Sequence, residues 1–139
     1  MQDPTQTEPR VYGVGDASYR AAGGEEGLRK LVDRFYELMD TREDARVIRA
    51  MHDPDLTVSR DKLTRFLCGW LNGPKRYQEK YGAISIPGSH AHLAIGGAER
   101  DAWLSCMREA LADQPWAQDF KDYLLQALSR PAERVRNQP

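Results

Sequence analysis

Ser89-His90-Ala91-His92-Leu93-Ala94-Ile95-Gly96 is followed at once by a second informative run, Glu99-Arg100-Asp101-Ala102-Trp103-Leu104-Ser105-Cys106-Met107. The first run offers two imidazoles on a short segment with no clear period. The second opens with charge and then sets Trp103 and Met107 one helical turn apart, so an indole and a thioether share a face. A histidine-bearing loop is therefore laid directly before an apolar helix.

Helical spacing extends through the rest of the chain. Leu28, Leu31, Val32, Phe35 and Met39 recur at helical intervals over Glu25–Met39, and Tyr36, one turn beyond Val32, also points inward. Leu63, Phe66, Leu67, Trp70 and Leu71 do the same over Thr57–Leu71, as do Trp103, Met107, Ala110 and Leu111 over Ala98–Ala112. Trp116, Phe120, Tyr123, Leu124, Ala127 and Leu128 line a last helix that is expected to start at Pro115. Asp16–Ala22 predicts a short helix stopped by Gly23-Gly24. Arg42–Met51 predicts another, capped by Thr41 with Asp44 three residues on. Thr57 or Ser59 is the expected cap of the second long helix, and Gly73-Pro74 its stop. Pro74–Tyr81 allows one or two turns, and Gly82–Gly88 has the composition of a loop. Pro131 is expected to weaken any continuation of the last helix. With no alternating strand and no internal repeat, the fold class is all-α. The expected division is a disordered N-terminal tail over 1–10, one domain over 11–130 and a C-terminal tail over 131–139.

The chain has 139 residues, 40 % of them hydrophobic and 29 % charged, with a net charge of −1. That is enough for one domain with a core. The near-neutral balance gives no electrostatic reason for nucleic acid or an anionic membrane as partner. No apolar run is long enough to span a bilayer, and the polar start Met1–Pro9 lacks the apolar stretch of a secretory signal. A cytoplasmic protein is the expectation. Cys68 and Cys106 each sit inside an apolar helical pattern, as small buried hydrophobes do in a reducing compartment. There is no Cys-x-x-Cys-His for covalent heme attachment and no zinc-finger spacing.

His90 is the candidate metal ligand. A neutral imidazole binds iron through one nitrogen while the other donates to a carbonyl, which fixes the tautomer. An imidazole beside an apolar helical core suits an axial ligand of a metalloporphyrin. His92, two positions on, is the competitor and is expected to point elsewhere. On their own, Tyr36 and Trp103 are equally well read as core aromatics with satisfied polar tips.

Several ordered motifs resemble the group II truncated hemoglobins of bacteria: Leu31–Met39 with its Phe35-Tyr36, Ser59–Leu63, Asn72-Gly73-Pro74 with Lys75-Arg76-Tyr77, His90, Ile95-Gly96, and Glu99-Arg100-Asp101-Ala102-Trp103. The match runs from about Tyr12 to Leu128. Two departures stand out: Ala83–Ser89 replaces a segment usually rich in arginine, and His92-Leu93 stands where Pro-Phe is usual.

The resemblance implies a two-over-two helical globin sandwich around heme b, with Leu28–Met39 and Ser59–Leu71 paired across the last two helices. It implies His90 as the proximal iron ligand, and Tyr36, Trp103 and His52 as a polar cluster on the distal side. Ser59 and Leu63 then fall where the distal helix crosses the heme. Phe66 packs on the porphyrin, Leu93 contacts it, and Lys62 and Tyr77 lie near its propionates. The implied activity is reversible binding of oxygen, carbon monoxide and nitric oxide, as in oxygen transport. A heme enzyme with nitric oxide dioxygenase or peroxidase-like activity, served by an external electron donor or reductase, is the first alternative. A heme-free helical interaction module is the second. Nothing compels a dimer, so monomer or homodimer stays open.

Overall fold

The computed structural model describes residues 12–83, 90 and 92–138, and every described element is helical. In chain order these are α1 (Ala17–Ala21), α2 (Gly24–Thr41), a 3-10 turn (Glu43–Ala45), α3 (Arg46–Ala50), α4 (Thr57–Trp70), α5 (Arg76–Tyr81), α6 (Gly97–Ala112) and α7 (Gln118–Arg134). None is long and apolar enough to cross a membrane. The expected tail over 1–10 lies outside the described residues, as do residues 84–89 of the altered loop.

Helix α2 is the centre. Leu28, Leu31, Val32, Phe35, Tyr36, Leu38 and Met39 are all buried. They meet α4 on one side and α6 on the other, while α6 packs in turn on α7. The result is a pair of two-helix layers, the two-over-two arrangement. Electrostatic ties reinforce the packing at the helix ends. Arg42, just after α2, pairs with Asp44 at 2.7 Å and with Glu109 of α6 at 2.6 Å. Arg34 pairs with Asp113 at 2.7 Å.

Several helix boundaries differ from the expectation. Thr41 does not cap the next helix; its hydroxyl donates back to the Glu37 carbonyl at 3.0 Å, inside α2. At α4 the cap position is Leu56, not Thr57 or Ser59, and the preceding Asp55 carboxylate accepts from the Thr57 amide at 2.9 Å and its hydroxyl at 2.7 Å. The stop of α4 is Asn72 rather than Gly73-Pro74. Asn72 takes a left-handed φ of 66°, the Gly73 amide donates to Cys68 O at 2.8 Å and the Asn72 amide to Gly69 O at 3.0 Å. That pairing is a Schellman motif. Gly73 has its own constraint: a Cβ there would stand 2.5 Å from the Tyr19 ring. Helix α7 starts at Gln118 after an extended Ala117, not at Pro115. It also continues through Pro131 to Arg134, because losing one amide donor near the helix end leaves the later turn intact, with the Val135 amide still bonded to Pro131 O at 3.2 Å.

Candidate heme site

Phe35 and Tyr36 are adjacent on α2 and both buried. The Phe35 ring meets Tyr36 at 5.0 Å edge-on and Trp103 of α6 at 5.0 Å. The Tyr36 ring meets His52 at 5.7 Å, also edge-on. Phe35 is thus the wedge between two polar aromatics, a role its place in an apolar stripe did not reveal. Of the three residues expected in the polar cluster, Tyr36 meets His52 directly and is linked to Trp103 through Phe35.

His52 sits after α3, where the helix ends. Its Nδ1 lies 2.8 Å from Ile48 O, an acceptor, so Nδ1 carries the proton and Nε2 keeps its lone pair. Burial lowers the His52 pKa; the Ile48 bond opposes this, and the charges of Arg49 and His90 add to the lowering. A surface groove of about 610 Å³ opens beside His52, lined by Met39, Arg42, Arg49 and Pro54 among others. Burial also holds the Tyr36 phenol far above its usual range, with the charge of Arg60 opposing, so it stays protonated. Arg60 was not singled out from the sequence; it occupies an ordinary charged position on α4.

Helix α4 has two apolar flanks. Thr64, Leu67, Cys68 and Leu71 are buried against protein. Ser59, Leu63, Phe66 and Trp70 share a second flank at helical intervals, a stripe about 60° wide, and each is only half-buried. Phe66 stacks on Trp70 at 6.2 Å. Periodicity had merged these two stripes into one inner face.

Lys62 is exposed beside the second flank, its ammonium 5.2 Å above the Tyr81 ring, and Tyr77 meets the same ring at 5.1 Å. Tyr81 therefore joins the two residues expected near one edge of the site. It also donates to Asp61 at 2.7 Å, as Lys80 does at 2.9 Å. Burial raises the Asp61 pKa, but the bonds from Tyr81, Lys80 and Arg65 outweigh it and hold the carboxyl well below its usual range.

On the other side, His90 is half-buried whereas His92 is exposed. The Leu93 amide donates to His90 O at 3.0 Å, which closes a turn, and Leu93 is half-buried. Both cysteines are buried, and burial pushes each thiol up to about 11, so neither supplies a thiolate.

The comparisons agree with this fold. The family model described as bacterial-like globin matches residues 17–137. Group 2 truncated hemoglobin YjbI of Bacillus subtilis is 32 % identical over 123 residues, covering 88 % of this chain and 90 % of that protein. The group II 2-on-2 hemoglobin of the plant pathogen Agrobacterium tumefaciens superposes with a TM-score of 0.83 at 38 % identity, covering 88 % of this chain and 95 % of that one. The chain belongs to the group II truncated hemoglobins. A cold-adapted truncated hemoglobin from the Antarctic marine bacterium Pseudoalteromonas haloplanktis gives a TM-score of 0.84 at 31 % identity, covering 88 % and 98 % of the two chains.

A truncated hemoglobin holds heme, and the residues present fit that group. A porphyrin carries four iron ligands of its own and asks the protein for an imidazole, an apolar lining and cations for its propionates. Among the described residues no three His, Cys, Asp or Glu side chains come together as a metal cage. A half-buried imidazole, a second apolar flank on α4 and an exposed Lys62 are all present.

Proposed function

We propose that this truncated hemoglobin binds heme b noncovalently through His90 and reversibly takes oxygen, carbon monoxide or nitric oxide on the opposite side. The observation that carries the reading is the run of contacts in which Phe35 meets both Tyr36 and Trp103 while Tyr36 meets His52. Heme, when bound, supplies an iron atom with one position for a diatomic ligand. Leu63, Phe66 and Leu93 supply apolar contact, Ser59 a small polar group on the same stripe as Leu63 and Phe66, and Lys62 and Tyr77 a polar edge for the propionates.

The distal residues divide the polar work. The Trp103 indole is a donor only. Tyr36, kept protonated by burial, donates or accepts. His52 has its donor committed to Ile48 and so offers an acceptor through Nε2. A hydrogen bond to a ligand that takes on negative charge contributes about 1.5–3 kcal/mol, roughly ten- to a hundred-fold in affinity.

Absorption spectra of the purified chain with hemin, in ferric, dithionite-reduced and carbon-monoxide-bound forms, test the reading. A histidine-ligated ferrous heme that binds carbon monoxide supports it. A spectrum of free hemin alone overturns it in favour of a helical interaction module. His90→Ala abolishes the native spectrum and His92→Ala preserves it; the reverse result moves the ligand to His92. Trp103→Phe keeps the bulk and deletes the donor, so oxygen dissociation speeds by about ten- to a hundred-fold. An unchanged rate leaves Trp103 a packing role only. Very slow oxygen release by the wild-type chain would assign it chemistry on nitric oxide or peroxide with an external electron donor, rather than carriage.

A further inference from the structure

The segment after His90 is held by the far end of the chain. Asn137, beyond α7, donates from Nδ2 to Leu93 O at 2.6 Å and accepts the Ile95 amide on Oδ1 at 2.9 Å. The backbone amides of Asn137 and Gln138 both donate to Ile95 O, at 2.8 and 3.0 Å. Both polar backbone groups of Ile95 are thereby satisfied by residues 42 or more positions away in sequence.

This fastening is specific in chemistry. Leu93 offers a carbonyl and Ile95 an amide, so the side chain that bridges them must donate and accept at once. A primary amide does so; a carboxylate has no donor and an alkyl group has neither. The surroundings hold the clamp in place. Helix α6 begins at Gly97, with the Gly96 amide donating to Glu99 Oε1 at 2.8 Å. Arg100 in the first turn of α6 pairs with Glu133 in the last turn of α7, and Glu133 also pairs with Arg136 at 2.9 Å. Ile95 is buried, while Leu93 is half-buried and bonded back to the His90 carbonyl. Leu93 is thus tied to His90 by its own turn, and Leu93 and Ile95 are both tied to Asn137.

We infer that Asn137 is a positioning residue for the His90 imidazole, setting its reach and orientation toward the cofactor iron through the backbone of Leu93–Ile95. The inference rests on the reading of His90 as the iron ligand. Residues 92–96 form no helix, whereas His90 is helical; the non-helical stretch has few internal constraints of its own, so an external amide bridge determines the path by which it leaves His90.

The test uses the full chain as wild type, Asn137→Ala, Asn137→Asp and, as control, Gln138→Ala, which keeps the backbone bond. Two quantities are read: amide hydrogen exchange at Ile95, without hemin, and the iron–histidine stretching band of the ferrous hemin-loaded protein by resonance Raman. Asn137→Ala lowers Ile95 protection by roughly tenfold, the equivalent of about one hydrogen bond, and shifts or broadens the iron–histidine band. Asn137→Asp does the same to a smaller degree, and Gln138→Ala does neither. An unaltered band beside lost Ile95 protection overturns the inference and leaves Asn137 as an anchor for the C-terminus. Unaltered protection overturns it too, since the bridge then holds nothing. A wild-type chain without an iron–histidine band, or a His90→Ala variant that keeps it, sinks the His90 reading itself, and that failure shows before any Asn137 variant is compared.

Discussion

The two flanks of α4 carry similar apolar side chains to different ends. One flank, with Thr64, Leu67, Cys68 and Leu71, is sealed against the protein, with Leu67 and Cys68 fully inaccessible. The other, with Ser59, Leu63, Phe66 and Trp70, is only half covered, although Phe66 and Trp70 are among the bulkiest groups on the helix. A helix that faced one protein core would bury its largest side chains first. This one buries a threonine and leaves two aromatics at the boundary. On the proposed function, the first flank serves stability and the second cofactor contact.

The sharpest test of that separation is a pair of truncations. Leu67→Ala opens a cavity in the sealed flank and lowers unfolding free energy by about 2–5 kcal/mol, measured by denaturant titration without hemin. Phe66→Ala removes a larger side chain yet costs the hemin-free chain under about 1 kcal/mol, while speeding transfer of hemin to an acceptor protein. Equal destabilisation by the two would break the comparison.

A smaller effect comes from the edge between the flanks. Asp61→Asn weakens the bonds from Tyr81 and Lys80 that fasten α5 to α4, together with the Arg65 bond within α4, and costs about 1–2 kcal/mol at neutral pH. The folded-state pKa of Asp61 is depressed, so its contribution is present above the usual value of 3.8 and is lost as pH falls below it. The gap between wild type and variant therefore closes on acidification; a gap that stays constant from neutral pH to pH 3 rules out the charge as its source. The smallest effect is a gain. Thr64 Oγ1 is buried with no hydrogen-bond partner among the described residues. Thr64→Val removes that unsatisfied hydroxyl at nearly constant shape and raises the denaturation midpoint by up to about 1 kcal/mol equivalent. A loss of stability would show that the hydroxyl is satisfied in solution.

Much of this was legible in the sequence because it is local. The period of apolar residues located the four long helices, and the resemblance grouped Tyr36, His52, Trp103 and His90; of these the structure shows Tyr36 against His52, and Trp103 reached through Phe35. The misjudged ends have a common cause. Thr57, Pro115 and Gly73-Pro74 each have the residue type of a helix boundary, but the neighbouring Leu56, Asn72 and Ala117 take the boundary position. Several compatible residues within a few positions compete, and only backbone geometry selects among them. The altered loop Ala83–Ser89 lies almost wholly outside the described residues.

What the sequence by itself determined is the class of fold and the chemical inventory: helices from the period, a donor-only indole, a phenol, imidazoles and two inert thiols from the residue types. The tertiary structure decided which apolar stripe is sealed, that His90 rather than His92 turns inward, that Phe35 joins Tyr36 to Trp103, and that Asn137 reaches back to Leu93 and Ile95. The physical reason is range. A helical period depends on side chains within two turns and is written into neighbouring residues, whereas burial and bridging depend on surfaces that meet only after distant segments have packed.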